Sequence, residues 1–85
     1  MSRPNPPDSR WTIGSAADFG RAIADIRARQ GLTQEQFAAR AGLSRAYLAQ
    51  IESGRSARLL EHLLRLLRRA GATVTITLKS DGGES

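Results

Sequence analysis

The 85-residue chain contains no cysteine, so neither a disulfide framework nor a thiolate metal site can staple it. It has a single histidine, His62, with no second ligand or base beside it, which leaves zinc chemistry and triad catalysis without their parts. Nothing in its glycines resembles a phosphate-cradling GxxxxGK[ST] loop. No apolar run approaches the roughly 18 residues of a membrane span, and the opening MSRPNPPDSR lacks the apolar centre of a signal peptide. These absences predict a non-enzymatic, soluble, cytoplasmic protein without metal or cofactor, one domain in size and dependent on packing for its stability. Lysine is nearly absent too: of 13 basic residues all but Lys79 are arginine, against 8 acidic ones, a formal charge of +5. Arginine presents a rigid fork of donors to phosphates and base edges, so the balance points to a polyanionic partner.

All three prolines fall within residues 1–10, which read as a flexible arm, and SDGGES at residues 80–85 reads as a loose tail. Between them, residues 11–79 form the organised part. The first helix is expected to start at Ser15, with Asp18 as capping partner, and to bury Phe19, Ala22, Ile23 and Ile26 before Gly31 ends it. Two short helices follow. Leu32, Thr33 and Phe37, then Leu43, Ser44 and Leu48, each place a hydrophobe, a capping hydroxyl and a second hydrophobe at the staple positions of a helix start. Gln36 completes a capping box with Thr33. Gly42 between them suits the left-handed residue of a tight turn, and Gly54 stops the second helix.

A last helix over about 58–70 gathers seven apolar residues into an arc of roughly 160°, wide for a helix that only roofs a small core, so part of the arc is expected to face a second chain. His62 falls on its polar side. After Gly71, TVTITLK at residues 73–79 alternates like a half-buried strand, with Val74, Ile76 and Leu78 on one face. Within the chain the only partner is the short WTI at 11–13. Pairing with the same strand of a second copy is therefore expected, making Val74, Ile76 and Leu78 a dimerisation strand.

Two helices joined by a glycine turn form a helix-turn-helix, whose second helix enters the major groove. On the outward face of that helix Arg45 can bind guanine, Gln50 adenine, and Ala46 and Ala49 can admit a thymine methyl. Helix N-termini attract phosphate, which brings in Gln34 and Ser44, with Tyr47 and Arg55 flanking. Arg40 and Arg58 are equally well explained as solvated. TQEQFAARAGLSRAYLAQIESG, residues 33–54, resembles the Xre/Cro/lambda-repressor family almost position by position. The resemblance implies an all-α DNA-binding domain of about four helices, base reading by Arg45, Ala46, Ala49 and Gln50, a backbone clamp at Gln34 and Ser44, and a structural ion pair between Arg27 and Glu52. With the leucine-rich ARLLEHLLRLLRRAG and the C-terminal strand, the chain is similar to HipB-like antitoxins. That implies a homodimer on palindromic operator DNA, repression of its own operon and a HipA-like serine/threonine kinase toxin as partner. A stand-alone or phage-type repressor, or an interaction subunit using the fold as scaffold, are the rival readings.

Overall fold

The computed structural model describes residues 9–55 and 57–79. The elements run in the order strand β1 (Ser9–Ile13), helices α1 (Ala16–Arg29), α2 (Gln34–Ala41), α3 (Arg45–Ser53) and α4 (Arg58–Arg69), and strand β2 (Val74–Leu78). The four expected helices are present, and the first three start at the expected capping residues, while α4 starts at Ala57 with no side-chain cap. Ser15 accepts from the Asp18 amide, Thr33 and Gln36 close a reciprocal capping box, and Ser44 accepts from the Tyr47 amide. One detail differs at α1: the Asp18 carboxylate accepts the Gly14 amide at 2.9 Å instead of turning back to Ser15.

The strand is where sequence and structure part. β2 pairs antiparallel with β1 of the same chain, Trp11 opposite Ile76 and Ile13 opposite Val74. The pairing extends to Ser9 opposite Leu78, so the expected WTI fragment is a full strand that begins two residues inside the supposed flexible arm. The rest of that arm, and the tail 80–85, lie outside the described residues. Alternation marks a strand but carries no information about a partner some sixty residues away, and the polar Ser9-Arg10 start hid the length of β1. Two-stranded pairing is marginal unless one face is covered. Here Trp11, Val74 and Ile76 pack on a core of Ile13, Ala22 and Leu64, with Phe19 and Leu60. Val74 and Ile76 thus serve the chain's own core, and Leu78 is half-buried at the sheet's end.

Polar ties hold the sheet to the helices. The Trp11 indole donates to Asp25 at 2.9 Å, and the Arg29 guanidinium lies 5.2 Å over the ring while also reaching the Ser9 hydroxyl. Glu61, on α4, accepts the Ala16 amide at 2.7 Å and so satisfies one of the free donors that open α1. Arg68 donates to the Gly14 carbonyl at 2.8 Å, a second clasp between α4 and the turn before α1.

One residue sets how α1 meets α3. Gly20 sits in mid-helix, where glycine costs about 1 kcal/mol relative to alanine. A Cβ at this position would lie 2.5 Å from the Glu52 carbonyl oxygen and closer still to that of Ile51. Both are backbone atoms and cannot swing aside. The missing side chain therefore lets α1 pass directly under the C-terminal turn of α3. Gly20→Ala is expected to destabilise the fold by about 1–3 kcal/mol in chemical denaturation despite its gain in helix propensity; a variant more stable than the parent would contradict the close approach.

Candidate nucleic-acid interface

The turn between α2 and α3 is only as long as its hydrogen bonds require. Gly42 adopts φ 73°, and the Leu43 amide returns to the Ala38 carbonyl at 2.9 Å. Any residue with a Cβ would be strained in that left-handed conformation. Ser44 then opens α3 immediately. Ala38 is 1 % exposed where the helices meet, and Leu48, at 2 %, is the inward anchor of α3. A larger side chain at 38 would force the helices apart.

With Leu48 inward, the opposite face of α3 is fixed. Arg45, Ala46 and Gln50 are exposed and Ala49 is half-buried beside them, a strip of two hydrogen-bonding ends separated by two methyl groups. Such a strip suits the edges of base pairs in a major groove. Tyr47 is 53 % exposed and, with Gln50 and Arg55, borders a groove between α3 and α4. The Ser44 oxygen accepts the Tyr47 amide at 3.0 Å, leaving its hydroxyl hydrogen free to donate outward. Capping and phosphate contact are compatible at this residue. Arg40 and Arg58 are exposed on the neighbouring surfaces.

Gln34 has a task the sequence did not reveal. Its side-chain amide donates to Glu52 at 2.9 Å, so its NH2 group is turned toward the protein. Glu52 also accepts from Arg27 through both oxygens, at 2.7 and 3.2 Å, and Arg27 donates to the Leu32 carbonyl at 2.9 Å. This network joins α1, the loop before α2, the first turn of α2 and the last turn of α3. The Arg27 and Glu52 side chains retain only 21 % and 8 % exposure, so the pair is largely withdrawn from water. Burial by itself would push the Glu52 carboxyl up; the hydrogen bonds from Arg27 and Gln34 and the charge of Arg27 outweigh it and hold the group below the usual carboxylate range. The hydrogen bond from Arg27 to Glu52 in turn raises the affinity of Arg27 for its proton.

Sequence reasoning also missed Gly20 and the Glu61 clasp, and the clasp leaves no local signal. Only a mid-helix glycine, unfavourable by propensity, marks a site of close approach.

Removing the Glu52 carboxylate strands a mostly buried guanidinium, and Glu52→Ala should cost roughly 2–4 kcal/mol of unfolding free energy. The acid dependence follows from the direction of the shift. Because Glu52 is more acidic folded than unfolded, its stabilisation is complete above the unfolded value of about 4.3 and is lost as pH falls through the lower folded value. Stability measured from pH 7 downward should therefore fall less steeply in Glu52→Gln than in the parent below about pH 4.3. Parallel curves would show that Glu52 does not carry the effect.

Comparison with known proteins agrees with this geometry. A helix-turn-helix family model matches residues 23–75, which include the second half of α1, all of α2, α3 and α4 and the start of β2. No curated protein and no solved structure gives a significant match to the chain. The match spans most of the chain and covers the turn, α3 and the ion pair described above, and the protein belongs to the helix-turn-helix family of DNA-binding transcription regulators, of the Xre/Cro/lambda-repressor type.

Proposed function

We propose that the protein is a dimeric, sequence-specific repressor that places α3 in the major groove of a palindromic operator. The observation that carries this reading is the strip Arg45, Ala46, Ala49 and Gln50, outward-facing on a helix whose inner side and last turn are locked by Leu48 and by the Arg27–Glu52–Gln34 network. Arg45 and Gln50 read bases by bidentate contacts, and the two alanines form an apolar bed for a thymine methyl. Ser44 and Gln34, at the starts of α3 and α2, approach the sugar-phosphate backbone with their helix N-termini, Gln34 through its main-chain amide because its side-chain NH2 is held by Glu52. Tyr47 and Arg55 contact phosphates on either side. A two-fold dimer reads two half-sites about one helical turn apart, which is why the operator is palindromic.

The place in the cell follows from the resemblance. A single compact helix-turn-helix unit followed by a leucine-rich helix and a terminal strand fits the antitoxin of a HipBA-type operon, autorepressing in the cytoplasm and binding a HipA-like serine/threonine kinase toxin. What supports the toxin partner is the order of these elements in the sequence, and the contact would fall on the helical body or the sheet.

Selection from a random duplex library followed by binding at several salt concentrations tests the DNA reading. Affinity for the selected palindrome should exceed that for random duplex and fall steeply with salt. Arg45→Ala should cost about 1–3 kcal/mol on the selected site and relax the preference at one base position. Arg55→Ala should weaken all duplexes alike and reduce the salt slope by about 1. Equal affinity for palindrome and random duplex would leave the fold as a scaffold for protein contacts.

A further inference from the structure

The wide apolar arc of α4 is only partly used by the chain itself. Leu64 is 5 % exposed and Leu60 packs on the core, whereas Leu59, Leu63 and Leu66 are 71, 46 and 63 % exposed. Soluble monomers rarely leave a contiguous apolar stripe of this kind uncovered. The spacing is specific. Leu59, Leu63, Leu66 and the exposed Ala70 follow one another at intervals of 4, 3 and 4, the a/d seam of a helix that packs along another helix.

We infer that this seam is the dimer surface: α4 crosses α4 of a second copy in antiparallel fashion, Leu63 meeting Leu66 across the two-fold and Leu59 meeting Ala70. This rests on the dimeric reading above and assigns it to a surface other than β2. Three observations favour a second copy as the occupant. β2 already has an in-chain partner in β1, and its core-facing side chains are spent on the chain's own helices. The border of the seam carries one arginine per helix, Arg69, which in the antiparallel arrangement stands opposite His62 and not opposite its own copy. Of the other cations on α4, Arg68 is engaged by the Gly14 carbonyl and Arg58 and Arg65 lie beyond that border. Antiparallel α4 helices also oppose their dipoles, head to tail.

The seam is continuous with the groove between α3 and α4, about 380 Å³, into which Leu59 and Leu63 project beside Ile51 and Tyr47. The seam therefore runs beside α3. The contact that holds the dimer together would also fix the separation and tilt of the two reading helices, and so the spacing of half-sites.

Sedimentation of the full chain at micromolar concentration tests the assignment. The parent should be a dimer, and Leu63→Arg, at a half-exposed position outside the buried core, should remain helical by circular dichroism while its dimer weakens about 30-fold or more. Should that variant fail to fold, the cysteine-free chain offers a second route: Leu63→Cys mixed with Leu66→Cys should form a disulfide-linked heterodimer under mild oxidant. A folded Leu63→Arg variant that stays dimeric, or Leu63→Cys and Leu66→Cys chains that stay unlinked while dimeric, would overturn the seam and leave another surface, such as the free edge of β2, to hold the dimer. A monomeric parent would instead overturn the dimeric reading itself.

Discussion

The Glu52 carboxylate is the point on which the orientation of α3 depends. It accepts hydrogen bonds from Arg27 of α1 and Gln34 of α2 while standing in the last turn of α3, so one group measures the position of three helices at once. Hydrophobic burial cannot do this alone, because it is proportional to area and indifferent to direction. Leu48 draws α3 onto the core, but a helix anchored by one buried leucine can still roll. A carboxylate that loses water must find its donors at a fixed distance and angle, and that requirement sets the roll. Gly20 makes the arrangement possible by letting α1 come close enough for Arg27 to reach Glu52.

The parts of the fold legible in the sequence are those encoded locally. Thr33 with Gln36, Ser44, and Gly42 each specify a helix end within four residues, and the structure uses all of them as caps or turn. The outward strip on α3 was equally legible, since it follows from which residues of a nine-residue helix are apolar. What was not legible is non-local. The pairing of β1 with β2, the Glu61 clasp on α1 and the Gln34 bond to Glu52 join residues 18 to 69 apart, and no periodicity reports them. The strand was recognised and its partner was not, for the same reason: alternation describes a face, and pairing depends on register.

The energetics of so small a chain give the exposed leucines their meaning. Among the described residues six hydrophobic side chains are fully buried, and three of those are alanines. A domain of this size draws limited stability from one core. Leaving four leucines of α4 exposed costs the monomer apolar burial that a second copy can restore, and places that burial next to α3. Stability, assembly and half-site geometry would then depend on one surface.

The central claim, that Arg27 and Glu52 act as a directional lock and not as two independent surface charges, is tested most directly by a double-mutant cycle on unfolding free energy. Arg27→Ala, Glu52→Ala and the double variant should give a coupling energy of about 1–3 kcal/mol, with the double variant less damaged than the sum of the single ones. A coupling energy below about 0.5 kcal/mol, the level at which distant sites simply add, would contradict it.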